Sequence, residues 1–439
     1  MTQSRRNFLK NSSIAVAGAS TIALPGITKA AWTSSDETIK IGLVGCGGRG
    51  TGAAGQAMNT KGPTSLIAMA DAFGDRLQTS HRNLVEKHSD KVDVPEERQF
   101  VGFDAFQKVL EQDVDLIILA TPPGFRPMHF EAAVKAGKHV FMEKPVAVDA
   151  AGVNRVLDAT REAKKKNLLV QVGLQRRHET PYRETIKRLQ DGAIGDINFM
   201  RAYWNGRGVW TRPRKDDQTE MEYQMRNWYY FNWLCGDHIT EQHIHNLDVI
   251  NWLKDGFPVD AQGMGGREVR TSKEHGQIFD HHMVEYTYAD GSKMLSQCRH
   301  IPGCANSVSE WAAGSKGTCN ISGKTITTAD GVWSFKKENK GFKEPGGHQN
   351  EHHDLFADLR DGKLPNEGEY GAMSTMTSIL GRMATYSGKV VKMKDALARG
   401  RVISPVDQFT GYDQDPPVLP NEDMEYPVPI PGKYNPFQA

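Results

Sequence analysis

Ile39-Lys40-Ile41-Gly42-Leu43-Val44-Gly45-Cys46-Gly47-Gly48-Arg49-Gly50 is a short apolar strand that runs directly into a G-x-G-x-x-G turn. The Ala/Gly-rich residues 51–57 that follow read as a helix. Such a glycine pattern says little alone, but a strand before it and a helix after it are the context its chemistry requires. Gly45 permits the tight turn, Gly47 lets the backbone approach a pyrophosphate, and Gly50 allows helix and strand to pack closely. Gly48 and Arg49 complete the turn before the helix, whose N–H groups and positive dipole end face the phosphates.

Outward from that turn, residues 65–70 (S-L-I-A-M-A) form a second strand with Asp71 at its carboxyl end. An acid about 20 residues past the glycines hydrogen-bonds the ribose hydroxyls of a dinucleotide. Its charge repels a 2′-phosphate, which favours NAD over NADP; the competing reading is a turn aspartate before Phe73-Gly74. Residues 115–120 (D-L-I-I-L-A) make a further strand ending in Thr121-Pro122-Pro123. A helix over 128–136 is stopped by Gly137, and the strand His139–Met142 ends in Glu143-Lys144-Pro145. Strands alternating with helices indicate a parallel, doubly wound α/β sheet with ligands gathered at the strands' carboxyl ends. Asp71, Thr121, Pro122, His129, Glu143 and Lys144 fall at or just beyond such ends.

The combination G-C-G-G-R-G, A-T-P-P with His129 following, and G-K-H-V-F-M-E-K-P resembles the Gfo/Idh/MocA oxidoreductases (glucose–fructose oxidoreductase, inositol dehydrogenase and relatives). The resemblance continues through the G-x-x-x-x-E-x-x-x-H-x-x-D segment from Gly236 to Asp248 and the later E-H-x-D-L-F and G-R-M-A-T-Y-S-G-K stretches. It implies that Lys144 lies beside the nicotinamide and the substrate hydroxyl, that Glu143 belongs to the cofactor wall, and that His245 is the catalytic base. In the family an Asp four residues before that His orients it; here Glu241 stands in its place. The resemblance also implies a second, α+β domain with a large, mainly antiparallel open sheet, and association into homo-oligomers.

The residues after Lys166 support that division. Residues 149–166 read as a crossover helix and 168–172 as a strand, followed by Gln175-Arg176-Arg177; Asp290-Gly291 and Asp330-Gly331 are hairpin signals. Taken as one helix at about 100° per residue, 237–253 places Glu241, His245, Asp248 and Trp252 within roughly 60° of one another. His238, Glu241 and His245 would then face one way, but no H-E-x-x-H is present and no metal is expected. His348, His352 and His353 read as helix and loop surface. The window 204–233 holds eight aromatic residues, among them Trp228. These rings either stack on sugar C–H faces, with Arg207, Arg212 and Arg226 reaching hydroxyls, or pack on one another. Gln175, Arg177, Trp228 and His245 are the candidate substrate contacts.

The 439 residues, with 54 Lys+Arg against 53 Asp+Glu, allow two or three domains and argue against a nucleic-acid partner. Five Cys exclude a disulfide scaffold, leaving the pairing of Cys298 and Cys304 open. No apolar run approaches a membrane span. Ser4-Arg5-Arg6-Asn7-Phe8-Leu9-Lys10, the weakly apolar stretch after it and Ala30 read as a twin-arginine leader over 1–30, which implies export to the periplasm. Without the leader's Arg5, Arg6, Lys10 and Lys29 the chain has 50 basic residues against 53 acidic ones. The expected layout is a dinucleotide domain over 38–166, a substrate domain over 167–403, and a proline-rich extended tail over 404–439. The expected activity is NAD-dependent oxidation of a secondary hydroxyl of a sugar or glycoside, with the cofactor retained. The alternative is a glycosidase working by transient oxidation, elimination and reduction.

Overall fold

Six apolar runs hydrogen-bond into one sheet. A computed structural model of the chain describes residues 37–437, so the leader expected over 1–30 lies outside the described residues. Strands β1 (Ile39–Val44), β2 (Thr64–Asp71), β3 (Gln99–Val101), β4 (Leu116–Leu119), β5 (His139–Met142) and β6 (Val170–Val172) pair in the order β3-β2-β1-β4-β5-β6. Every pair is parallel. The order reverses between β1 and β4, where a crevice opens at the strands' carboxyl ends. Parallel strands covered on both faces must be apolar throughout, and β4 is: Ile117 and Leu119 join one core cluster, Leu116 and Ile118 the other. Val134 and Val153, from helices Arg126–Lys135 and Ala150–Lys165, pack in the first cluster. Ala53, Leu77 and Phe356, from helices Gly48–Met58, Gly74–His88 and Gly347–Arg360, pack in the second.

The boundary expected at residue 166 is therefore one strand short. β6 adds to the edge of β5, because Val170 and Val172 are apolar enough to be buried there. Helix Gly347–Arg360, from far along the chain, also returns to this first layer.

The second sheet holds β7 (Ile197–Gly206), β8 (Asp260–Gly266), β9 (His281–Thr287), β10 (Lys293–His300), β11 (Ser307–Gly314), β12 (Gly317–Asn320), β13 (Thr325–Thr328), β14 (Gly331–Ser334) and β15 (Val391–Lys392). Its order is β14-β13-β12-β11-β7-β10-β9-β8-β15. Only β7 and β10 run parallel; the other pairs are antiparallel. Both hairpin signals turn where expected, at Gly291 (φ 84°) and Gly331 (φ 138°). Burial alternates along β10, with Met294, Ser296, Cys298 and His300 inward. The opposite face leaves Phe199, Met264 and Met283 exposed. Cys298 is buried and Cys304 exposed, and the two are not paired. The tail after residue 403 runs over the body with one 3₁₀ turn, Val406–Gln408. Ser404 Oγ donates to the Trp233 carbonyl at 2.7 Å, and the Tyr412 hydroxyl donates to the Ala72 carbonyl. No helix among the described residues is long and apolar enough to cross a membrane.

Candidate active site

At the carboxyl end of β1, Gly45 takes φ 98°, and a Cβ there would lie 2.6 Å from the Ala120 carbonyl carbon. A Cβ on Gly50 would stand 1.8 Å from the Gly45 carbonyl oxygen. Both positions are closed to larger residues by backbone. Gly47 and Gly48 differ: nothing lies within 4 Å of where their Cβ atoms would be. No side chain caps helix Gly48–Met58 and its first turn holds no acid. Its N–H groups thus present a positive end to an open cradle. Asp71 is anchored at the end of β2, its Oδ2 accepting from the Cys46 N–H at 2.6 Å and its Oδ1 from the Phe73 N–H at 2.9 Å. Burial pushes its carboxyl above the ordinary range. The open glycine cradle and the fixed acid next to it fit the pyrophosphate and ribose of a dinucleotide.

Not every residue assigned to that wall faces it. The Arg49 guanidinium is committed to Glu143 at 2.5 Å, to Gln56 at 2.9 Å and to Glu351 at 3.4 Å. Arg49 therefore serves a phosphate only through its backbone N–H. His129 is buried behind Thr121, with Nδ1 3.1 Å from the threonine Oγ1 and its ring between Phe106 and Phe125. Burial, reinforced by Arg126 and Arg155, pushes its imidazole down to about 3. It is a neutral group that positions Thr121, not a direct cofactor contact. Sequence reasoning overlooked Arg126, which is fully buried and donates to the carbonyls of Thr121 and of Glu143, tying the ends of β4 and β5 together. Pro122-Pro123 four residues earlier was the available signal that this loop is held rigidly.

Lys144 leaves β5 and donates through Nζ to the Glu241 carbonyl at 2.7 Å and to Glu241 Oε1 at 3.0 Å. This contact remodels the helical segment. Instead of one helix over 237–253 there are two pieces, His238–Glu241 and Ile244–Lys254. The Glu241 carbonyl serves Lys144, and the His245 N–H turns to the Gln242 carbonyl at 3.4 Å. The His243 N–H reaches back five residues, to the His238 carbonyl at 3.2 Å. The expected Glu241–His245 hydrogen bond is accordingly absent: the Glu241 carboxylate is spent on Lys144 and on Gln242 Nε2 at 2.6 Å. Burial pushes the Glu241 carboxyl up, against the opposing pull of Lys144.

His245 is buried, stacks on Trp204 at 6.0 Å, and has no hydrogen-bond partner at Nδ1. Burial and then the Lys144 charge push its imidazole well below the ordinary value, so it is neutral. Asp248 does not orient it. That carboxylate makes a bidentate pair with Arg177, 2.9 Å on each arm, and accepts from Ser374 at 2.7 Å. Arg177 is further stacked on Tyr370 at 4.0 Å, so its guanidinium is structural and not available to a substrate. Gln175 keeps a buried Oε1 without a partner. Trp228 is half-buried, edge-on to Trp210 and Tyr229. Of the aromatic window, Tyr223, Tyr229, Tyr230, Phe231 and Trp233 are core, which settles most of it as rings packed on one another. Arg226 pairs with Asp75 at 3.2 Å and lies on the Phe73 ring at 4.0 Å, two residues from Asp71 in sequence. The histidines read as surface divide: His352 is fully buried against Phe141, while His348 lies near enough to Arg49, Glu143 and Lys144 to feel their charges.

A six-stranded 3-2-1-4-5-6 sheet with an open glycine cradle and an acid at the end of its second strand has the form of a dinucleotide-binding domain. Residues 39–174 match the model of the Gfo/Idh/MocA oxidoreductase family, described by its NAD-binding Rossmann fold. Inositol 2-dehydrogenase of Gluconacetobacter diazotrophicus is 29% identical over 236 residues, 54% of this chain and 60% of that protein. The match thus spans about three-fifths of that relative's length. Among solved structures, levoglucosan dehydrogenase in complex with NADH and levoglucosan superposes with a TM-score of 0.64 at 16% identity, covering 81% of this chain and 100% of that one. Scyllo-inositol dehydrogenase from Lactobacillus casei, with NAD(H) and scyllo-inositol bound, gives 0.61 at 20% identity, covering 82% and 100%. At such identities these structures establish the shared fold, second sheet included.

Proposed function

We propose that this chain is an NAD-dependent dehydrogenase that oxidises a secondary hydroxyl of a sugar or polyol to a ketone. The observation that carries the reading is the pairing of Lys144 Nζ with Glu241 at the end of β5, beside a neutral His245 that feels the Lys144 charge. The inositol dehydrogenase relative supports the substrate class. Bound NAD supplies the hydride acceptor. The chain's own residues handle the proton and the charge. His245 takes the hydroxyl proton, being neutral and hence able to accept it. Lys144 stabilises the negative charge that develops on the substrate oxygen as that proton leaves. Glu241 holds the ammonium in place, Trp204 holds the imidazole ring, and Gln175 offers an unpartnered acceptor to a further hydroxyl.

The same reading includes export by the twin-arginine route from the 1–30 leader, and a cofactor that stays bound, since no free NAD pool exists outside the cytoplasm. It also includes a homo-oligomer, for which the open sheet face with Phe199, Met264 and Met283 is suited. Cleavage of a glycosidic bond draws no support from these relatives, which are dehydrogenases by name. The test is to incubate the purified chain with a panel of polyols and glycosides while following nicotinamide absorbance and products. A keto product with reduction of bound cofactor is expected, and Lys144→Ala should lower kcat by about 10²–10³-fold. Cofactor-free protein that forms no keto product even with added NAD would overturn the reading.

A further inference from the structure

Behind the short helix His238–Glu241 lies a cluster that the proposed chemistry does not use. Asp237, His238 and His282 are each 0–3% exposed, and one ligand atom from each lies within 4.8 Å of the others. Asp237 Oδ1 is 3.3 Å from His282 Nε2 and 3.9 Å from His238 Nε2. Neither ring nitrogen of His238 has a hydrogen-bond partner, nor does His282 Nε2. A buried polar atom left unpaired is costly, and three of them around one carboxylate call for a shared occupant.

Charge makes the same demand. The Asp237 carboxylate has no Lys or Arg ion pair among the described residues, although Arg267 and His300 lie near enough to feel its charge. Pairing it with His282 alone would still leave both nitrogens of His238 without a partner. A divalent cation satisfies the carboxylate and an imidazole nitrogen from each ring together. The surroundings are arranged as a metal's outer shell would be. His282 Nδ1 is held by Thr385 Oγ1 at 2.9 Å, leaving Nε2 free on the inner side. Asp237 Oδ2 accepts from the Phe279 N–H at 3.0 Å and the Tyr386 hydroxyl at 2.5 Å, while Oδ1 accepts from the His238 N–H at 2.5 Å and is the oxygen nearest both imidazoles. Asp237 holds φ 70°, a conformation that a non-glycine residue adopts only when its surroundings impose it.

We propose that Asp237, His238 and His282 form a buried site for a divalent transition metal of the zinc class, pinning the segment that carries Glu241. Two imidazoles and a carboxylate are borderline-hard donors suited to Zn²⁺ rather than Ca²⁺ or Mg²⁺. Tetrahedral ligands about 2.0–2.2 Å from zinc stand roughly 3.3–3.6 Å apart; the ligand atoms here lie within 4.8 Å of one another, so binding draws His238 inward. Complete burial makes the site structural, and His300, stacked on His238 at 4.1 Å with its own unpartnered Nδ1, closes one side. This replaces the grouping that the sequence suggested: His238 belongs with Asp237 and His282, while Glu241 is spent on Lys144.

The test uses the full chain purified without chelator. Elemental analysis should find about one zinc-class ion per chain, and a strong chelator should lower Tm by several degrees. The double variant His238→Gln/His282→Gln should lose at least nine-tenths of the metal, and chelator should no longer move its Tm. Exchange of the wild-type chain with Co²⁺ should give the intense visible bands of a low-coordinate imidazole site, a reading that stands even where the variant does not fold. Wild-type chain that holds less than a tenth of an equivalent, both as purified and after dialysis from Zn²⁺, overturns the proposal. So does metal that the double variant retains in full.

Discussion

Lys144 has three N–H donors and spends two of them on Glu241, one on the carbonyl and one on the carboxylate. The third is free for a substrate oxygen, which is why a fixed Glu241 sharpens the aim of Lys144 without consuming it. The neighbouring His245 sets the pH behaviour. Its folded value lies well below the ordinary 6.5, because burial and the adjacent ammonium both disfavour the imidazolium. The base form therefore persists through neutrality and is lost only as pH falls through the lowered value. We expect kcat/KM to be level at pH 6.5, with an acid limb centred below it, and His245→Ala to lower kcat by about 10²–10⁴-fold. An acid limb at or above 6.5, or an unaffected variant, removes His245 as the base.

Elements differ in how much of themselves they print in the sequence. The β1 turn was fully legible because each glycine answers a local steric demand: Gly50 meets the Gly45 carbonyl, and no neighbour further away decides it. Asp71 and Lys144 were legible for a related reason, as both sit where an apolar strand ends. The 237–253 segment was not. Projecting Glu241 and His245 onto one helix face assumes an unbroken ladder, and Lys144, 97 residues earlier, breaks it by taking the Glu241 carbonyl. The bidentate pair of Arg177 and Asp248 and the return of His348 to the Glu143 region depend likewise on partners far away in the chain. This contrast supports a prediction for the turn. Gly50→Ala puts a methyl carbon against backbone that has nowhere to go, separating helix Gly48–Met58 from β1. It should weaken NAD binding by at least tenfold in equilibrium titration, whereas Gly48→Ala, facing open space on the helix's first residue, should fold with an unchanged Tm. Equal cofactor affinity in wild type and Gly50→Ala would contradict the assignment of the cradle.

At the scale of the whole molecule, the tail is anchored across the body beside Asp71. Asp149 Oδ2 accepts from the backbone N–H groups of Ile403 and Ser404 at 2.8 and 3.1 Å, fixing where the tail departs. Further along, Tyr412 stacks on Phe73 at 5.3 Å and donates its hydroxyl to the Ala72 carbonyl, one residue past Asp71. Tyr426 then packs edge-on to Phe231 and donates to Glu220 Oε1 at 2.5 Å, so the same strap grips the aromatic core. Proline cannot join a helix interior or a central strand, and this segment is accordingly bound by such side-chain anchors instead of by a ladder. Each anchor is worth on the order of 1 kcal/mol from its stacking and its hydrogen bond. Tyr412→Ala removes both at once beside Asp71, the acid proposed to bind the ribose. We expect it to raise the dissociation rate of bound NAD by about 5- to 30-fold, equivalent to roughly 1–2 kcal/mol, with kcat at saturating cofactor unchanged because Lys144 is held by Glu241 and not by the tail. If the variant releases cofactor at the wild-type rate, the tail braces the fold alone and contributes nothing to retention.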